Sequence, residues 1–158
     1  MTNPPGPGAA AALPAATVLL LRENDGRLEV LLTKRAAGLS FMAGLWVFPG
    51  GRLEPDDRSP ALVDHVAPAG FEPVRRRMLG LDGAPIPASE ALALHVAACR
   101  ETFEESGVLL ARPTAGGECC DGQTLARAAA VRTPDATAAQ FAGFVLAERL
   151  RLQIDRLV

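Results

Sequence analysis

The sequence predicts a single α/β (α+β) domain, on three observations. Two apolar runs enclose a polar turn within residues 16–33, apolar residues recur at helical spacing from Ala88 to a glycine stop at Gly107, and the short apolar run Val108–Ala111 precedes alanine-rich helical stretches. At 158 residues, with 49% hydrophobic and 22% charged content, the chain has the size and composition of one globular domain with a core of its own.

Taken in order, residues 1–15 are rich in Ala and Pro but have neither a basic start nor a long apolar stretch. They read as a disordered tail, not a signal peptide, with the folded domain over residues 16–158. Ala16–Arg22 is a short apolar strand, Glu23-Asn24-Asp25-Gly26 carries turn chemistry, and Arg27–Thr33 begins with alternation, so a β-hairpin opens the sheet. A third extended segment, Gly44–Phe48, leads into Pro49-Gly50-Gly51, where paired glycines allow positive φ and a close backbone approach to a ligand.

Residues 52–87 contain Pro55, Pro60, Pro68, Pro73, Pro85 and Pro87, which argues against one long helix and leaves room for short helical pieces. Within this stretch Asp56 and Asp57 suit turn or capping roles as well as an accessory carboxylate role. Arg75-Arg76-Arg77 reads first as a solvated basic patch, with contact to substrate phosphates as the alternative. A helix from about Ala88 to Ser106 follows, opened by a capping Ser89, with Leu92, Leu94, Val96, Ala97, Cys99 and Phe103 as its apolar residues and Gly107 in the left-handed position after its end. Val108–Ala111 is expected to be a strand, residues 113–122 a loop, and residues 125–131 and 136–150 helices. The final Arg149–Val158 is amphipathic without a capping finish and reads as a chain that continues further.

Charge and composition exclude several classes. A net charge of −2 gives no basic field for nucleic acid, and no run approaches the roughly 20 apolar residues of a membrane span. Cys99, Cys119 and Cys120 show no CxxC spacing, which suits a reducing cytoplasm, and Cys99 reads as a buried structural thiol. His65 and His95 are too few and too isolated for a zinc site.

The chemistry lies in Arg100-Glu101-Thr102-Phe103-Glu104-Glu105-Ser106-Gly107. On a helix Glu101 shares a face with Glu104 and Glu105, so three carboxylates gather where like charges repel and the helix dipole opposes them. Alone, such a triplet is most simply a solvated acidic helix end; a hard divalent cation would offset its repulsion. Together with Phe48-Pro49-Gly50-Gly51 it resembles the two halves of a Nudix box, the signature of a family of diphosphate hydrolases. Counting five residues from Gly51 reaches Asp57 where the family has Glu, and 48 residues separate Gly51 from Arg100 where the uninterrupted box has 13. An insertion of about 35 residues therefore splits the motif, at a loop where extra length costs little closure entropy.

A divided box resembles the Nudix branch that includes the peroxisomal coenzyme A diphosphatase. The resemblance implies an α/β/α sandwich with a mixed sheet, incomplete at the C-terminus of this chain. Leu31-Leu32-Thr33, Ala36, Gly44 and Phe48–Gly51 fall at the spacing of the coenzyme A signature of related enzymes, whereas the signature's arginine falls at Ser40. The resemblance also implies Mg²⁺ or Mn²⁺ held by Glu101, Glu105 and the Gly50 carbonyl, with Glu104 as a further ligand or the general base and Arg100 orienting a catalytic glutamate. The implied substrate is a nucleoside diphosphate joined to another moiety, with coenzyme A or an acyl form first. Dinucleotides, nucleotide sugars or nucleoside triphosphates, and a catalytically silent nucleotide-binding module, are the alternatives.

Overall fold

The computed structural model describes residues 12–35, 37–38, 43–63, 65–66, 75–80, 82–117, 120–133 and 135–157. Most of the expected tail, Ala36, Ser40, Pro68, Pro73 and Cys119 lie outside the described residues.

The first extended segment changes partner midway. Its start, β1 (Ala15–Thr17), pairs antiparallel with Gly50–Arg52, the later strand β6, with Ala16 opposite Gly51. The next part, β2 (Leu21–Asn24), pairs antiparallel with β3 (Arg27–Val30), Leu21 facing Val30. The hairpin closes on only two residues, Asp25 and Gly26, both at positive φ (49° and 72°), the kind of turn whose twist matches that of paired strands. Glu23 and Asn24, read from sequence as turn, therefore extend the strand. A short β4 (Thr33–Lys34) pairs with β5 (Trp46–Val47).

The proline-rich insert forms short pieces, as its composition dictates: a 3-10 turn at Pro55–Arg58 and α1 (Pro60–Val63). The long helix α2 spans Ala88–Ser106 and ends on Gly107 at φ 78°. Its N-cap is Pro87 and not Ser89, which lies inside the first turn. Pro87 itself enters at φ −55° and its carbonyl accepts the first intrahelical bond, from Ala91 N–H at 2.9 Å, so no side-chain cap is used.

Beyond α2 the expected strand shifts. Val108 N–H bonds Ser106 Oγ and finishes the helix end, so the ladder begins only at β7 (Ala111–Pro113). The two following helices are α3 (Gly122–Val131), capped by Asp121 on Thr124 N–H at 2.7 Å, and α4 (Ala138–Ala147), opened by a reciprocal Thr137–Gln140 capping box. Residues 148–150, read from sequence as helix, leave it, and β8 (Leu150–Leu152) pairs with β7. On its other edge β8 meets Val66 in an isolated parallel bridge, with Leu152 N–H to His65 O at 2.7 Å, which ties the insert to the core; in place of the expected mixed sheet, the strands of the described residues pair as four two-stranded antiparallel sheets.

The core lies on this side of the molecule. Val96, Cys99 and Phe103 of α2 pack with Phe141, Phe144 and Val145 of α4 and with Leu62, Ala111, Leu150, Leu152 and Ile154. Phe103 sits against both aromatic rings of α4, with centroids at 5.8 and 6.2 Å. Burial pushes the Cys99 thiol up to about 12, so it is an inert core group, as expected. His95 is likewise a helix residue, its Nδ1 within 2.7 Å of Ala91 O.

Candidate active site

Arg100, on the inner face of α2, is the hub of the site. Its side chain is only 4% exposed, and each of its five N–H donors has an acceptor. Nε and Nη2 fork onto Asp57 at 2.8 and 2.9 Å, Nη1 donates to Glu101 Oε1 at 2.8 Å and Glu104 Oε2 at 2.9 Å, and Nη2 also reaches Arg52 O at 3.0 Å. Burial opposes the Arg100 charge, but the hydrogen bonds and charge of Asp57, with Glu101 and Glu104, outweigh it and hold the guanidinium above its ordinary range.

Asp57 reaches this hub because the 3-10 turn fixes its direction. Its Oδ2 accepts Glu54 N–H at 2.8 Å in a reciprocal capping box while both carboxylate oxygens face Arg100. Turn and accessory-carboxylate roles are thus one role. The shorter Asp serves where the family has Glu, and it joins the insert to the helix across 43 positions.

The glycine pair matters through close approach and not through positive φ, which neither residue adopts. A Cβ on Gly51 would overlap the Glu101 carboxylate, and one on Gly50 would overlap Ala16 O and lie 2.9 Å from Thr17 Cα. Val18 N–H bonds Pro49 O and Leu53 N–H bonds Pro14 O, so by alternation Thr17 and Gly50 form a non-hydrogen-bonded pair. Both backbone groups of Gly50 therefore face away from β1. The N–H meets Glu105 Oε2 at 3.2 Å, and Thr33 Oγ1 lies 3.5 Å from the same oxygen.

The expected gathering of three carboxylates is only partly met. Among the described residues no three His, Cys, Asp or Glu side chains are set to hold a metal ion. The reason is visible: Glu101 and Glu104 turn to Arg100, while Glu105 turns to Gly50. The donor set still suits a hard cation. Asp57, Glu101 and Glu104 are three carboxylates on a single guanidinium, Glu105 stands beside them on the Gly50 edge, and Glu104 Oε1 is buried without a partner. Burial raises the pKa of both Glu101 and Glu104 above the usual carboxylate value, with Arg100 acting in the opposite sense. A buried oxygen short of positive charge, beside a backbone edge at Gly50, is what an oxygen-seeking ion would satisfy.

A groove of about 520 Å³ is lined by Thr17, Val18, Leu94, Ala98, Arg77 and Arg156 among others, with no carboxylate of the cluster in its lining. Leu94, Ala98, Glu101 and Glu105 follow one another at four, three and four residues, so the groove and the glutamates share one stripe of α2. Of the basic triplet only Arg77 lines it. Sequence reasoning missed Arg52, which acts through its carbonyl, and Arg132, described below.

Fold and site together define a Nudix-type α/β domain. A crystal structure of a NUDIX hydrolase from Alicyclobacillus acidocaldarius shares the fold, with TM-score 0.62 and 24% identity over 92% of this chain and 59% of that one. The family model described as NUDT19 Nudix domain matches residues 8–145, and the chain belongs to that family. Acyl-coenzyme A diphosphatase NUDT19 of Xenopus laevis is 35% identical over 107 residues, 58% of this chain and 28% of that protein. The Gallus gallus protein of the same name is 33% identical over 131 residues, 68% of this chain and 34% of that one. The chain thus spans about a third or less of the length of these curated relatives.

Proposed function

We propose that the chain hydrolyses a pyrophosphate bond in a nucleoside diphosphate joined to another moiety, with coenzyme A or acyl-coenzyme A as the preferred substrate and Mg²⁺ or Mn²⁺ as cofactor. The observation that carries the reading is Glu104 Oε1, a buried carboxylate oxygen without a partner inside a cluster that Arg100 only partly neutralises. Kinship to proteins named acyl-coenzyme A diphosphatase supports the substrate. A reducing, cytoplasmic setting belongs to the same proposal, and the buried free thiol of Cys99 fits it.

The residues divide the work. Glu101, Glu105, the outward edge of Gly50 and the partnerless oxygen of Glu104 would hold the cation. When bound, it supplies Lewis acidity at the phosphate oxygens and offsets their charge. Arg100 keeps Glu101 and Glu104 aimed inward and prevents them from swinging to solvent, and Asp57 holds Arg100. Glu104 is either that further ligand or, where Glu101, Glu105 and Gly50 hold the cation without it, the base that accepts a proton from an attacking water, a role its raised pKa suits. Val18, Leu94 and Ala98 offer the non-reacting part of the substrate an apolar seat, with Arg77 and Arg156 for its remaining phosphate.

Serine at position 40, where the coenzyme A signature has arginine, favours a second reading in which another nucleoside diphosphate derivative is the substrate. Product analysis on coenzyme A, a dinucleotide, a nucleotide sugar and a nucleoside triphosphate, each with Mg²⁺ and with Mn²⁺, separates the two. Release of phosphopantetheine from coenzyme A with the others slow is expected. Turnover of another substrate alone would move the assignment to the second reading, and no turnover despite cation binding would leave a binding module.

A further inference from the structure

The last turn of α2 carries Glu104 and Glu105 and no basic residue, so its own sequence does nothing to offset the negative end of the helix dipole. Its terminal carbonyls can be followed one by one. Thr102 O accepts Ser106 Oγ at 2.5 Å, and Phe103 O accepts Gly107 N–H at 2.8 Å. Val108 N–H, which would continue the pattern onto Glu104 O, bonds Ser106 Oγ at 3.2 Å instead. Glu104 O and Glu105 O are therefore left as helix-end orphans.

Both are taken by one side chain from elsewhere. Arg132, at the C-cap of α3, donates Nε to Glu104 O at 2.8 Å and Nη2 to Glu105 O at 3.1 Å, and Nε also reaches Phe103 O at 3.0 Å. The guanidinium lies over Gly107, where a Cβ would stand 3.7–3.8 Å from it. Arg132 thus grips three consecutive carbonyls of the turn that bears the glutamates and touches none of their carboxylates.

We infer that Arg132 is a positioning residue for the glutamate cluster. Its fork fixes the backbone at Phe103–Glu105, and with it the directions in which Glu104 leaves toward Arg100 and Glu105 toward Gly50. It works through geometry: its acceptors are carbonyls, which do not titrate, and planar multi-point donation is something arginine offers and lysine does not. The inference rests on the cation-dependent reading proposed above.

Calorimetric titration of the whole chain with Mn²⁺ alone tests it, on wild type, Arg132→Gln and Arg132→Lys, with circular dichroism to verify folding. Arg132→Gln is expected to bind Mn²⁺ about tenfold more weakly, in line with the loss of an outer-shell support, and Arg132→Lys to fall between. The pH midpoint of Mn²⁺ binding is expected to stay at the wild-type value in both. A folded Arg132→Gln with wild-type affinity would overturn the inference, as would a shifted midpoint or full recovery by Lys, because either would assign the effect to charge. Should Arg132→Gln not fold, wild-type affinity in Arg132→Lys overturns it. A wild-type chain that does not bind Mn²⁺ would defeat the proposed function itself, a result distinct from these.

Discussion

Removing the Asp57 carboxylate strikes the point where insert, glycine strand and glutamate helix meet. Asp57→Ala deletes two charge-assisted bonds from Arg100, at 2.8 and 2.9 Å, and the 2.8 Å bond from Glu54 N–H. The Arg100 and Asp57 side chains are 4% and 1% exposed, so water cannot replace what is lost. Breaking a buried pair from one side costs roughly 3–5 kcal/mol. Arg100 keeps Glu101, Glu104 and Arg52 O, which places the loss near the lower end, about 3 kcal/mol. For a domain of this size that lowers Tm by about 6–12 °C. Urea denaturation followed by circular dichroism measures the free energy and thermal melting the Tm. Glu29→Ala is the control, since Arg22–Glu29 is an ion pair with side chains 75% and 40% exposed that solvent screens. If Asp57→Ala costs no more than Glu29→Ala, the buried fork does not hold the site together.

Three further outcomes are expected. Glu101 and Glu104 keep a proton to higher pH in the folded than in the unfolded chain, so the folded state binds more protons there; metal-free stability should fall as pH rises from the ordinary carboxylate range through the raised values. Denaturation across that range should show the decline, with Glu104→Gln or added Mg²⁺ flattening it. Gly51→Ala should cost about 1–3 kcal/mol by overpacking against Glu101 and weaken Mn²⁺ binding, both measurable on the purified variant. Cys99, 1% exposed, should react with a thiol reagent only as fast as the chain unfolds, so its labelling should follow the denaturation curve.

Local signals made much of this molecule readable. Helix α2 was legible because its apolar spacing and Gly107 agree, and the hairpin because Asp25-Gly26 can adopt two consecutive positive φ values. The split motif brought Gly51, Asp57, Arg100 and the glutamates into one reading before any contact was known. Partner choice was not legible: nothing in Ala15–Asn24 marks the residue where the strand leaves β6 for β3. Ser89 resembled a cap, yet Pro87 begins the helix through its fixed φ. Of the two uses the paired glycines offer, positive φ is not taken and close approach is, through the absent Cβ beside Glu101 and Ala16. Arg132 left no periodic trace because it acts across 27 residues on backbone carbonyls. An acid-rich helix end without a basic residue was the clue that a cation must come from elsewhere.

The most direct measurement is turnover of coenzyme A by this chain with Mg²⁺ or Mn²⁺, wild type against Glu105→Gln. Glu105 meets the Gly50 edge and leaves the Arg100 hub intact when changed, so folding should survive. Phosphopantetheine release by wild type and its loss by a factor of about 100 or more in the folded variant are the expected results. Equal turnover, with equal cation affinity, would contradict the assignment of the glutamates as the hydrolytic centre.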